Sequence, residues 1–214
     1  MDKKKKIIII SVCVVIALII IGVAIYFISR SVTEAENENR LAKVYDRMME
    51  NETYRINFKL DDNNQYTVSR KGNMANVDTY RNGTHTTDIV RDGDTILLMY
   101  STNKYYTYQN NELELTELSN QLDQIIQSQE PEKGREKIDG KTYRYEEYKS
   151  VSYFLINTDN PVSEENTNTR FYFDGDDLKY IRTIMGEESE LVQVDTSYQV
   201  EDSIFEIPAD FEEG

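Results

Sequence analysis

A single histidine and a single cysteine set narrow bounds on the chemistry open to this chain of 214 residues. His85 stands in the polar-rich run 84–91, just after Asn82-Gly83, with no cysteine partner outside the apolar N-terminal segment. General-base or triad work asks for a nucleophile and an orienting group around such an imidazole. The sequence marks neither, so His85 is read as an exposed strand residue. Cys13 lies within an unbroken apolar stretch and is read as a small apolar residue. Together they make neither a disulfide framework nor a zinc cluster. No G-x-S-x-G, P-loop or dinucleotide fingerprint is present. Carboxylates are so abundant that a glycosidase-like pair carries no weight. The runs Asp61-Asp-Asn-Asn64 and Asp174-Gly-Asp-Asp177 offer oxygen ligands, yet both lack the glycine and glutamate positions of an EF-hand and read as turns. Asn51-Glu-Thr and Asn82-Gly-Thr match glycosylation sequons, relevant only in a eukaryotic source. No cofactor, metal or catalysis is expected.

Charge narrows the partners. The chain holds 24 Lys and Arg against 39 Asp and Glu, a net charge of −15. Residues 1–30 hold five bases and one acid, which leaves 19 bases and 38 acids, or −19, beyond them. An acidic body of that size gains nothing from counterion release on a phosphate backbone, so nucleic acid is not an expected partner. Fifteen of the 16 Tyr lie beyond residue 30. An acidic disordered tail would be poor in aromatics. The charge serves solubility first, and would also draw cations or basic partners.

The elements that position these residues begin with residues 7–28, an apolar run of 22 positions without a charge. A helix of that length covers about 33 Å, enough for a hydrocarbon core of roughly 30 Å. Lys3, Lys4, Lys5 and Lys6 precede it and a single Arg30 follows. The positive-inside rule then expects a single-pass signal anchor in the cell membrane, with a cytoplasmic N-terminus and an extracellular C-terminal domain. Cleavage after Gly22-Val23-Ala24 and lipidation at Cys13 fit the run less well, because its apolar core is long and continues through Ile28. The expected organisation is a basic tail 1–6, a transmembrane helix 7–28, a spacer 29–33 and an extracytoplasmic domain 34–214.

Ser31-Val-Thr-Glu34 and Thr33-Glu-Ala-Glu36 match capping boxes, and Leu41, Val44, Tyr45, Met48 and Met49 repeat at helical spacing. A helix over 34–51 is expected. Period-two alternation then sets in with Tyr54, Ile56, Phe58 and Leu60. Turn dipeptides divide 54–109 into six strands of an antiparallel meander, with Asn82-Gly83 the strongest hairpin signal. Helical spacing returns over 112–129, stopped by Pro131 and Gly134. Further strands are expected at 137–139, 141–148, 151–157, 170–173, 178–184 and 190–200, with an exposed loop over 157–169. Strands segregated from helices indicate α+β.

The order of elements and three stretches carry a resemblance: Lys137-Ile-Asp-Gly-Lys-Thr-Tyr-Arg-Tyr145, Phe171-Tyr-Phe-Asp-Gly-Asp-Asp-Leu-Lys-Tyr180 and Val200-Glu-Asp-Ser-Ile-Phe-Glu-Ile-Pro208. Over about 34–211 the chain resembles the lipoprotein-carrier (LolA/LolB-like) superfamily, in its membrane-anchored Gram-positive form. The resemblance implies a strongly curved antiparallel sheet, an incomplete barrel of about 10–11 strands, with helices on its concave face and room for acyl chains between. Residues expected to line such a cavity are Met48, Met49, Phe58, Tyr66, Met99, Tyr106, Leu118, Leu122, Ile125, Phe154 and Tyr172. If helices and sheet close tightly, the same residues are ordinary core. The first reading expects a non-catalytic binder of a lipid or a lipid-modified partner. The second expects a cell-envelope interaction or sensing module with a filled core, meeting an envelope protein.

Overall fold

The computed structural model describes residues 39–109, 115–151 and 167–214. The tail, apolar run, spacer and capping boxes expected within 1–36 lie outside the described residues, as do the strand positions 152–157.

Helix α1 spans Arg40–Asn51, opening later than the 34–51 expected. Asn39 caps it, its side-chain oxygen accepting the Ala42 N–H at 2.9 Å. Glu52 ends it in the left-handed region. Leu41, Val44 and Met48 form its buried stripe, one face of a 3.6-residue repeat. The meander follows as β1 (Thr53–Asp61), β2 (Asn64–Lys71), β3 (Met74–Arg81), β4 (Thr84–Arg91), β5 (Asp94–Met99) and β6 (Lys104–Gln109). Asn82 and Gly83 both take positive φ, the two-residue turn whose twist suits a hairpin. Helix α2 spans Leu115–Ser128. Then come β7 (Glu132–Ile138), β8 (Lys141–Tyr148), β9 (Thr167–Asp174), β10 (Asp177–Met185), β11 (Glu188–Ser197), a 3-10 turn over Asp202–Phe205, and β12 (Glu212–Glu213).

All twelve strands join one sheet in the order β12-β6-β5-β4-β3-β2-β1-β11-β10-β9-β8-β7. This corrects the expected incomplete barrel of about 10–11 strands, while the transmembrane helix expected over 7–28 lies outside the described residues. The sheet is open, and its end strands β12 and β7 are not neighbours. It carries two α-helices among the described residues, neither long and apolar enough to cross a membrane. Two strands depart from those expected: β7 begins well before the expected 137–139, and β12 is additional. Gly134, which reads with Pro131 as a helix stop, sits inside β7 beneath the Tyr145 ring, where any Cβ would collide with that ring. Near the C-terminus, Glu212 and Gly214 donate their N–H groups to the carbonyls of Asn103 and Tyr105, adding β12 parallel to β6.

Register assigns the faces. Val68 stands opposite Ile56 and Val77, while Ser69 stands opposite Arg55 and Asn76. Cross-strand partners share a face, so apolar and polar rows separate cleanly. On the first face, Leu41, Val44 and Met48 of α1 and Leu122 and Ile125 of α2 pack on Tyr54, Ile56, Phe58, Val68, Phe171, Phe173, Ile181 and Val194. Each large side chain buried there stabilises the fold by roughly 1.5–3 kcal/mol. On the second face, the C-terminal segment lays Phe205 and Phe211 over Ile89, Ile96 and Leu98. Farther along, Ile138, Tyr143 and Tyr172 form a smaller cluster.

Candidate functional site

The helix-bearing face gathers part of the expected set. Met48, Phe58, Leu122 and Ile125 meet in one apolar cluster, none more than 6% exposed. Tyr66 packs beside them, its ring 6.2 Å from that of Phe58. Met99 on β5 and Tyr106 on β6 share the face by register, since Met99 pairs with Thr86 and Tyr106 with Leu97. Both are half-buried and stand outside the helix-covered cluster. Met49, 41% exposed, turns away from the core. Leu118 belongs to α2, and Phe154 lies outside the described residues.

Tyr172 stands on the opposite face, fully buried, and its hydroxyl donates to Glu136 Oε2 at 2.8 Å. Burial pushes its phenol up to about 12, with help from the hydrogen bond to Glu136. Arg170 and Arg182 converge on the same Glu136 carboxylate, and Arg170 also reaches Glu147. Charge is balanced within this network.

A second group of residues, marked by no sequence motif, lies on that same opposite face over β2–β4. Thr67, Ser69, Asn76 and Thr87 are all buried polar side chains. With Arg55, Asp78, His85, Leu98, Tyr100, Ser203, Ile204, Glu206 and Pro208 they line a cleft of about 270 Å³. Asp78 Oδ1 accepts the Thr87 hydroxyl at 2.6 Å and lies 2.8 Å from His85 Nε2. The His85 and Tyr100 rings stack at 3.7 Å between centroids, and Tyr100 meets Phe211 edge-on. His85 is thus a partnered, half-buried residue of the cleft wall, correcting the exposed strand position expected of it.

The cleft's cover is tied down by polar contacts. Asn76 Nδ2 donates to the Ile204 carbonyl at 2.6 Å, Arg91 donates to the Phe205 carbonyl, and Lys71 pairs with Asp202. At the floor, Ser69 is 1% exposed and its hydroxyl has no hydrogen-bond partner. Such a group costs about 1–3 kcal/mol when nothing satisfies it. Arg55 and Glu206 line the cleft as exposed residues, one of each sign.

The acidic turns are spoken for. Asp61 Oδ1 accepts the Asn63 N–H at 2.7 Å, and side-chain and backbone hydrogen bonds from Asn64 and Asn63 hold its carboxyl below the usual range. Asp174 pairs with Lys141, Asp176 with Arg40 and Lys43, and Asp177 with Arg47 and Lys179. Among the described residues no cluster of three or more His, Cys, Asp and Glu side chains is placed to hold a metal ion.

No family model matches the chain, and no curated protein matches it. Among solved structures it is similar to an uncharacterized conserved protein from Thermus thermophilus, at 9% identity and a TM-score of 0.43. That likeness covers 81% of this chain and 97% of the other. The chain is also similar to LprF from Mycobacterium bovis, at 13% identity and a TM-score of 0.46, over 84% of this chain and 98% of the other. Likeness of this degree carries no statement about ligand or activity.

Proposed function

We propose that the chain is a non-catalytic binding protein that takes an apolar ligand, an acyl chain or a lipid-modified partner, on the helix-bearing face of its sheet. The observation that carries this reading is the apolar strip on β5 and β6. Leu97, Met99 and Tyr106 are half-buried and Tyr108 is 43% exposed, all on the helix-bearing face by register. Flexible Met beside rigid Tyr suits an adaptable apolar surface. The four lysines and 22 uncharged positions of residues 3–28 support a domain that works outside the cytoplasm. A topology reporter at the C-terminus checks that placement, and cytosolic activity of the reporter overturns it.

The binding test is a titration of the full chain with a fluorescent fatty acid and with an acylated peptide, comparing Met99→Lys and Tyr108→Lys with the parent. Saturable binding that weakens at least about tenfold in both variants supports the reading. Absence of binding to either probe, or binding indifferent to both substitutions, refutes it.

A second reading is favoured by the burial of Met48, Phe58, Leu122 and Ile125. With that part of the interface filled, the domain is an envelope interaction or sensing module that meets another protein. Reproducible crosslinking of the full chain to one envelope protein, without acyl binding, distinguishes it.

A further inference from the structure

We propose that the cleft between β2–β4 and residues 203–208 binds a small, neutral polyhydroxyl compound, the size of a single sugar ring. The site stands on the face away from the helices and is independent of the acyl reading. Its floor is the first reason. A sheet face covered by Phe205 and Phe211 is apolar at Ile89, Ile96 and Leu98, yet turns polar at Thr67, Ser69, Asn76 and Thr87. Buried polar side chains are ordinarily satisfied. Ser69, at 1% exposure, lines the cleft with its hydroxyl unpartnered.

The charges around the cleft select the ligand class. Asp78 spends Oδ1 on His85 and Thr87. Arg55 and Glu206 line the same space. An anion bound here meets Asp78 and Glu206, and a cation meets Arg55, each at a desolvation cost. A hydroxyl donates and accepts at once, so a polyol can serve carboxylates, the guanidinium and the Ser69 hydroxyl together. Leu98, Tyr100 and Pro208 add apolar surface for the C–H groups of such a ring. The volume, about 270 Å³, stands just under the range of about 300–1,000 Å³ common for small-molecule sites. That space is enough for one ring.

Saturation-transfer NMR on the full chain tests this, with glucose, galactose, N-acetylglucosamine and myo-inositol as probes and glycine and acetate as charged controls. Transfer to at least one polyol, with millimolar or tighter affinity, is expected. Ser69→Ala should weaken it about 3–10-fold without lowering the melting temperature, because the hydroxyl it removes is unsatisfied in the fold. Glu206→Gln, at an exposed position, keeps the test open should Ser69→Ala fold poorly, and should also weaken binding. Four silent polyols overturn the proposal, as does preferential transfer to glycine or acetate. Polyol binding that neither substitution changes also overturns it, by placing the ligand elsewhere.

Discussion

Glu146 on β8 holds the first turn of α1 through the backbone of Arg40, 106 positions earlier in the chain. Its carboxylate accepts the Arg40 N–H at 2.6 Å and the Leu41 N–H at 3.0 Å, at 2% exposure. The first N–H groups of a helix have no intrahelical acceptor and form the positive end of its dipole. Asn39 satisfies Ala42, and Glu146 satisfies the two residues before it. Glu146→Ala leaves both donors buried and unmet, and should cost about 2–4 kcal/mol in urea unfolding. Glu146→Gln, whose single carboxamide oxygen can still accept one of the two N–H groups, should cost less.

The same residue sets a pH dependence. Burial pushes the Glu146 carboxyl up, against the downward pull of the Arg40 and Leu41 N–H groups and the charges of Lys133 and Arg40. A raised carboxyl favours the protonated form in the fold. Its contribution is therefore complete below the unfolded value, about 4.3, and is lost as pH rises through the raised folded value. The stability of the parent relative to Glu146→Gln should fall as pH climbs from about 4 toward neutrality. A difference that grows over that range contradicts the assignment.

Glu136 titrates with the opposite sign. Burial works to raise its carboxyl, but the Tyr172 hydrogen bond, the Arg182 hydrogen bond and charge, and the Arg170 hydrogen bond outweigh it and hold it below the usual range. The stability this gives is present above the unfolded value and lost as pH falls through the depressed folded value. Glu136→Gln should flatten the acid limb of a stability–pH curve and cost about 1–2 kcal/mol near neutrality. Solvent reaches the network and Arg170 keeps Glu147, which limits the loss. An unchanged acid limb in the variant shows that the network does not control it.

Much of the meander is legible in the sequence, because alternation and turn dipeptides act locally. The two-residue turn at Asn82-Gly83 places Arg81 opposite Thr84, and counting back sets Asp78 opposite Thr87 and Tyr80 opposite His85. The polar row of the cleft is thus readable as a row. What alternation cannot show is that a segment far along the chain covers it, as when Asn76 reaches the Ile204 carbonyl 128 positions on. Tyr172 is obscure for another reason. Phe171, Tyr172 and Phe173 are all buried, so both faces of β9 are covered and no alternation separates them. No motif marks Glu146 or Glu147, and only tertiary contact turns one toward a helix end and the other toward Arg170. Gly134 reads as a breaker because its partner, the Tyr145 ring, belongs to the next strand.

Met48 and Met49 show how far helical spacing alone can be trusted. Both fit the i, i+3, i+4 pattern from Leu41, yet Met48 is 0% exposed and Met49 is 41% exposed. A step of one residue turns a side chain about 100° around the axis, so only one of two neighbours can point into a sheet that covers a single stripe. Met48 meets Tyr54, Ile56 and Phe58 within one cluster, and truncating it removes packed atoms from a space with little freedom to collapse. Met48→Ala should therefore cost about 2–5 kcal/mol in chemical denaturation. Met49→Ala should stay within about 0.5 kcal/mol of the parent. The pair also bears on ligand binding. If an acyl chain reaches between α1 and the sheet, a saturating fatty acid should recover part of the stability lost in Met48→Ala, by filling the vacated volume. A variant equally unstable with and without the fatty acid confines any acyl site to the β5–β6 strip.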